Sequence, residues 1–395
     1  MAQDAQQGVG GTAGARLDLT GILERTLGGQ PLSTEEGTRL AEGPPEELPA
    51  LLEAAEEMRD RGHGRRVSFS RNVFLPLTNL CRNRCAYCSF RREPDQPGQH
   101  TMTFEEVRHE CRRAFRAGCT EALFCLGDRP ESLWPSHQET LRQLGVDCTA
   151  EQVAVACRIA LEEGLLPHTN AGALTREELT LLKRCNVSMG LMLESASPRL
   201  AGKGMPHEAS PDKAPGVRLR VLRDAVDLRI PFTSGILLGI GETPRERVEA
   251  LVLLRDLHLQ EVIVQNFRHQ PGLLIPGDAE PDAEEVARTV AVARLLLGPE
   301  VNLQAPPNLN PGGHRLLLRA GINDWGGLSP LTRDYINPQA PWPHAEALAQ
   351  TCAEEGYVLA ERLAIYPEFV EEPGYLDGGL LNTVRERSRE LGVKP

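Results

Sequence analysis

The sequence predicts an α/β protein whose core is a TIM-type (β/α) barrel, complete or partly open. Three observations carry this. Short apolar runs recur from residue 72 to residue 306, and each is followed by a polar loop and an amphipathic segment. The runs are continuously apolar rather than alternating, as strands buried on both faces of a parallel sheet are. Polar residues stand at the C-terminal end of nearly every run, and a barrel brings all such ends to one face. An open doubly wound sheet is the alternative.

In chain order, residues 1–16 are rich in Gly, Ala and Gln and read as a disordered tail. Residues 17–70 form an N-terminal helical layer. One amphipathic helix is expected around 17–27 and another over 44–64, with Ser33 and Glu36 as a capping box for a short element between them. The barrel spans 71–337, with strands at 72–77, 121–127, 165–170, 187–194, 230–239, 261–267 and 301–306, and a short eighth at 320–324. Helix starts are marked by Thr103 with Glu106, Thr149 with Gln152, Thr175 with Glu178, Thr243 with Glu246 and Asp282 with Glu285, pairs that satisfy free amides of a first turn. Residues 338–395 read as a helical extension with Pro-rich joints that covers one end of the barrel.

Composition narrows the function. With 41% hydrophobic and 25% charged residues, and no apolar run of the roughly 18–20 residues that span a bilayer, the chain reads as a globular protein without a membrane partner. Its first residues lack a basic region followed by an apolar stretch, so a cytoplasmic location is expected. A formal net charge of -12 argues against nucleic acid as a partner, because phosphate binding needs a basic surface. Ten cysteines without a regular framework suit a reducing compartment.

Three of those cysteines cluster. Cys81, Cys85 and Cys88 form C-x3-C-x2-C directly after the first expected strand. An apolar core would not accept the intervening Arg82, Asn83 and Arg84. A zinc site would want a fourth ligand at a second short spacing, and the other seven cysteines are scattered. Three thiolates instead suit an iron-sulfur cluster with one iron left open to a non-protein ligand. Arg82, Arg84, Arg91 and Arg92 crowd the same loop and could offset cluster charge or meet an acidic electron donor.

C-x3-C-x2-C with Tyr87 before the last cysteine resembles the signature of the radical S-adenosylmethionine (SAM) superfamily. The stretch PLTNLCRNRCAYCSF, together with GDRPE and GINDWGGLSP, is similar to the CofG family, the radical SAM subunit or half of 7,8-didemethyl-8-hydroxy-5-deazariboflavin (FO) synthase, over roughly residues 73–338. The resemblance implies one 4Fe-4S cluster on Cys81, Cys85 and Cys88 and SAM on its open iron. For SAM it implies contacts from Tyr87, Gly127, Asp128, Glu194, Arg199, Gly239 and Gly241. Glu194 and its neighbours could equally cap a helix through Ser195 or Ser197.

Other strand ends supply His168 and Asn170, then Gln265, Asn266, Arg268 and His269, then Asn308, a polar cavity lining suited to substrate. Asn323, Asp324 and Trp325 complete that set, offering donors, an acceptor and an aromatic face to a uracil ring or a phenol. The implied reaction is hydrogen abstraction by a 5'-deoxyadenosyl radical from 5-amino-5-(4-hydroxybenzyl)-6-(D-ribitylimino)-5,6-dihydrouracil, ring closure and ammonia release. FO then enters coenzyme F-420 biosynthesis. Implied partners are a CofH-type enzyme that makes the substrate, alone or in complex, and a low-potential donor of ferredoxin or flavodoxin type. The alternatives are a CofH-like or menaquinone-pathway radical SAM enzyme, or a non-catalytic iron-sulfur electron carrier.

Overall fold

The computed structural model describes residues 18–275 and 279–393. Its strands are β1 (Arg66–Thr78), β2 (Glu121–Leu126), β3 (Leu166–Asn170), β4 (Ser188–Gly190), β5 (Phe232–Leu238), β6 (Glu261–Asn266), β7 (Leu303–Gln304), β8 (Asp324–Leu328) and β9 (Val358–Arg362). β1 closes the barrel because it is paired on both edges. Its C-terminal half runs parallel to β2 from Asn72↔Glu121 onward, and its other edge runs parallel to β8 from Ser68↔Asp324 to Arg71↔Leu328. β2 to β8 follow in sequence order, each parallel to its neighbour. Eight strands therefore close completely, and the open doubly wound alternative is excluded.

The expected eighth strand was placed too early. Residues 320–323 end a helix and turn, and β8 starts at Asp324, the last residue of the expected run. Asp324 therefore sits at the N-terminal end of a strand, the opposite end of the barrel from the mouth.

The helices are α1 (Leu19–Leu27), α2 (Thr34–Ala41), α3 (Leu48–His63), α4 (Phe104–Arg116), α5 (Pro135–Gln143), α6 (Thr149–Glu162), α7 (Arg176–Lys183), α8 (Pro215–Asp227), α9 (Pro244–Arg255), α10 (Ala283–Leu297), α11 (His314–Arg319), α12 (Ala345–Glu354), α13 (Pro367–Glu371) and α14 (Gly378–Leu391). Reciprocal capping boxes form at Ser33/Glu36, Thr103/Glu106, Thr175/Glu178 and Thr243/Glu246. Asp282 caps α10 through the Glu285 amide. Thr149 does not cap α6. The N-cap is Cys148, and the Thr149 hydroxyl donates to Glu131 at 2.6 Å.

α2 and α3 pack outside the barrel on α9 and α10. The disordered tail expected over 1–16 lies outside the described residues. The C-terminal extension is not purely helical. β9 adds parallel to the lower half of β1, from Arg66↔Val358 to Ser70↔Arg362. From there Leu363, Ile365, Tyr366, Phe369 and Val370 pack on Leu166 and Val187, at the N-terminal ends of β3 and β4. Burying each such apolar side chain stabilises by about 1.5–3 kcal/mol, which is ample to hold the extension under the barrel as a floor. Among the described residues, no helix is long and apolar enough to cross a membrane.

Candidate active site

Cys81, Cys85 and Cys88 line one wall of a cavity of about 370 Å³ that runs down the barrel bore. The loop that carries them crosses the end of β2 so closely that a Cβ on Gly127 would come within 1.9 Å of the Leu80 carbonyl oxygen and 2.7 Å of the Cys81 Cβ. Gly127 is thus demanded by backbone approach, although it also borders the cavity. The loop is pinned on its other side, where the amides of Arg84 and Ala86 donate to the carbonyls of Ala209 and Pro206, both at 3.0 Å.

Donors converge on the sulfurs. The Asp128 amide donates to Cys81 Sγ at 3.1 Å, and the Ser210 hydroxyl to Cys85 Sγ at 3.3 Å. Cys88 receives backbone amides from Arg91 and Phe90. Burial pushes the Cys81 thiol up to about 12 and raises that of Cys88, so the positive charge of bound iron is what would make them thiolates. Among the described residues no three His, Cys, Asp or Glu side chains are arranged to hold a single metal ion. A cubane, in which each thiolate takes a different iron, asks for wider spacing, and the outer donors are those that coordinated thiolates use. The donor set fits a cluster.

The basic residues of the loop are internally paired. Arg82 is clamped on Asp212, Arg84 and Arg91 share Glu93 at 2.9 and 3.0 Å, and Arg92 donates to the Ser89 carbonyl at 2.7 Å. They build the loop more than they advertise charge.

Beside Cys81, Asp128 is buried with Oδ2 accepting from the Ala173 amide at 3.1 Å and from Asn83 Nδ2 at 3.3 Å. Its Oδ1 is also buried and has no donor. Burial and then neighbouring Asp212 raise this carboxyl above its ordinary range. Across the cavity, Glu194 adopts φ 64°, a strained conformation for a non-glycine, and is fixed by Lys213 Nζ and the Tyr87 hydroxyl, both at 2.5 Å. Burial alone would raise the Glu194 carboxyl, but Lys213, His207 and Arg218 outweigh it and hold it well below the usual carboxylate range. Lys213 and Arg218 border the cavity and were missed in the sequence, because they lie in a short 3-10 turn and the helix after it, with no strand-end motif.

Of the residues expected around SAM, Tyr87, Gly127, Asp128 and Glu194 border this cavity. Three do not. Arg199 is nearly half exposed and is paired with Glu246 at 2.7 Å. Gly239 and Gly241 have φ of 87° and 93° and shape a turn in which the Gly239 and Ile240 amides donate to Glu242 at 3.0 and 2.9 Å.

Of those expected around substrate, His168 and Asn170 border the cavity, as do Gln265 and Asn308. Burial, then the Arg362 charge, pushes His168 down to about 4, so it is a neutral imidazole bonded to Ser188 at 2.7 Å. Asn266 is tied to the Leu309 carbonyl at 3.2 Å and Arg268 to Glu280 at 3.2 Å, away from the bore. His269 bonds the Ile275 carbonyl at 3.1 Å. Asn323 is spent on the Leu303 amide, Arg294 and Asn302 at 2.8, 2.8 and 2.9 Å. Asp324 is fully buried in an ion pair with Arg362. Trp325 borders the cavity, but its indole sits edge-on to His314 of α11 at 5.5 Å, so its ring belongs to the helical shell.

The sequence also gave no warning of the cavity's lower half. There Ser70, Asn72, Glu121, Gln260, Glu261 and Arg362 face the bore. Gly326 and Gly327 make room for this layer, since a Cβ on either would strike Gln304 or Asn72 at about 2 Å.

The model of the radical SAM superfamily matches residues 75–254. The 7,8-didemethyl-8-hydroxy-5-deazariboflavin synthase of Methanopyrus kandleri is 49% identical over 332 residues, 82% of this chain and 99% of that protein. The chain belongs to the deazariboflavin synthase family. It also aligns with the FO synthase of Streptomyces avermitilis, 44% identical over 98% of this chain, but spans only 46% of that longer protein. In fold it is similar to methylornithine synthase PylB, with a TM-score of 0.68, 20% identity, and coverage of 86% of this chain and 97% of the other. The hydrogenase maturase HydG of Carboxydothermus hydrogenoformans gives a TM-score of 0.69 at 18% identity, covering 93% and 88%. Membership of the superfamily implies a 4Fe-4S cluster and SAM.

Proposed function

We propose that this chain forms FO from 5-amino-5-(4-hydroxybenzyl)-6-(D-ribitylimino)-5,6-dihydrouracil with release of ammonia, in coenzyme F-420 biosynthesis. The observation that carries this reading is 49% identity to a deazariboflavin synthase over nearly that protein's full length, together with a cysteine loop opening onto a deep bore. In it, Cys81, Cys85 and Cys88 hold one cluster. Bound there, cluster and SAM supply the one-electron cleavage that makes a carbon radical able to take hydrogen from substrate.

The chain's own residues bind and orient. Asp128 Oδ1, buried beside Cys81 without a donor, is the acceptor that the SAM ammonium would satisfy. Lys213 and Arg218 replace Arg199 as the cations for the SAM carboxylate, because they border the cavity and Arg199 does not. Tyr87 and Glu194 hold Lys213 in place. His168 and Asn170 lie on the substrate side, and the closed barrel excludes water from the radical. A CofH-type enzyme supplies the substrate, a ferredoxin or flavodoxin supplies the electron, and the protein works in the cytoplasm, where ten free cysteines stay reduced. The test is anaerobic reconstitution with iron and sulfide, then incubation with SAM, dithionite and the CofH product. Deazaflavin fluorescence is expected, and its absence with a fully loaded cluster overturns the reading.

A further inference from the structure

The interior of an eight-stranded (β/α) barrel is ordinarily filled by layers of branched apolar side chains. Here the bottom of the bore is polar and open. β2, β6 and β8 begin with Glu121, Glu261 and Asp324, and the cavity continues from the cysteine loop down to Arg362 and Ala364 on the segment beneath the barrel. The floor is also short of donors. Asn72 Oδ1 and Gln260 Oε1 are buried and have no partner, and both residues are only 1% exposed. Arg362 does not serve them: Nε and Nη2 go to Asp324 at 2.6 and 2.9 Å, Nη2 also to Glu261 at 3.1 Å, and Nη1 to the Leu363 carbonyl at 3.0 Å. Three carboxyl groups around one guanidinium disfavour an anion, and two buried amide oxygens await donors, so the floor suits a neutral occupant rich in hydroxyl groups.

We propose that this floor is a polyol subsite, in which Asn72 and Gln260, with Glu121 beside them, bind the ribityl chain and thereby aim the reacting end of the substrate at the cysteine loop. The inference rests on the FO-forming reading above. Of that substrate's parts, the ribityl chain carries the run of hydroxyls, whereas the phenol carries one. The chain is unchanged by the reaction, so it belongs at the end of the cavity remote from the cluster. Burial pushes the Glu261 carboxyl up to about 7 and raises that of Glu121, which favours a neutral, hydrogen-bonding occupant over a cation at this end of the bore.

The experiment uses the reconstituted holoenzyme with SAM and two fluorescent probes, FO itself and the same ring system carrying a methyl group in place of ribityl. Wild type is expected to bind FO at least about tenfold tighter, about 1.4 kcal/mol. Gln260→Met, close in shape but without the amide oxygen, and Asn72→Ala are each expected to reduce that preference severalfold, with affinity for the methyl probe and for SAM retained. SAM affinity and the melting curve report whether each variant is folded, and Gln260→Met carries the test if Asn72→Ala is not. Equal binding of the two probes by an FO-forming wild type overturns the subsite alone, as does a full ribityl preference in a folded Gln260→Met variant. Failure of the loaded wild type to form FO overturns the functional reading instead.

Discussion

Arg362 grips both carboxylate oxygens of Asp324 across the barrel floor, from Nε at 2.6 Å and Nη2 at 2.9 Å. The pair joins a strand outside the barrel to the last strand within it. Removing one partner of a buried ion pair costs about 3–5 kcal/mol, because the other is left charged without compensation. Asp324→Ala also strips the acceptor from the Gly326 amide, bonded at 2.6 Å.

Asp324→Ala is therefore expected to lower unfolding free energy by about 3–5 kcal/mol in urea, and Asp324→Asn by less. FO formation and SAM cleavage should fall together with the folded fraction. A variant of wild-type stability that cleaves SAM yet makes no FO would place Asp324 against substrate and sink the structural assignment.

Glu261 gives the floor a pH signature. Its folded value, about 7, lies above the unfolded value near 4.3. Between those values the unfolded chain has released a proton that the native protein keeps, so stability falls as pH rises through this window and is flat above it. Glu261→Gln should remove that slope. The check is urea midpoints of both proteins from pH 5 to 8; parallel curves would show that Glu261 ionises normally in the fold.

The cysteines divide into two sets. Cys81→Ala, Cys85→Ala or Cys88→Ala should abolish bound iron in a folded protein, since the loop that bears them lies outside the strand pairing. Cys111 and Cys157 are fully buried in the shell between α4, α6 and the strands. Replacing either with Ala should retain iron and cost about 1 kcal/mol of stability. Colorimetric iron analysis after reconstitution decides, and equal iron loss from both sets would refute the ligand assignment.

Much of this was legible because it is local. Capping boxes announce helix starts within four residues, and continuous apolar runs announce strands buried on both faces. The cysteine spacing marks a site because no core explanation tolerates Arg82 and Arg84. What was missed depends on pairing between distant segments. β9 is the short, half-polar sequence VLAER, and it is a strand only because the lower half of β1 offers it a free edge. Without β9, Arg362 has no place in the bore, and the polar floor has no cause. Asp324 was misplaced through strand register. Ending a strand at 324 puts it at the mouth, and starting one there puts it at the floor. Arg199 stands near a strand end as a SAM ligand would, but Glu246, already capping α9, is near enough to take it.

That capture gives the last prediction. Asp128 borders the cavity with an unpaired oxygen, while Arg199 is bound to Glu246 and to the Gly241 carbonyl at 2.7 Å. A hydrogen bond to a charged group contributes about 1.5–3 kcal/mol. Asp128→Ala should therefore weaken SAM binding by at least about tenfold, and 5'-deoxyadenosine and FO should decline in the same proportion. Arg199→Met should leave SAM affinity within about twofold. Its effect appears in stability, because Arg199, followed by Ser197 and the Thr243 amide, outweighs burial and holds the Glu246 carboxyl down to about 2. A carboxyl depressed in the fold stabilises above its unfolded value near 4.3, and that contribution fades as pH falls toward 2. Wild type should thus be more stable than Arg199→Met at neutral pH and lose the advantage on acidification. Calorimetric SAM titration and melting at several pH values test the pair, and a large loss of SAM affinity in a folded Arg199→Met variant would return this arginine to the cofactor site.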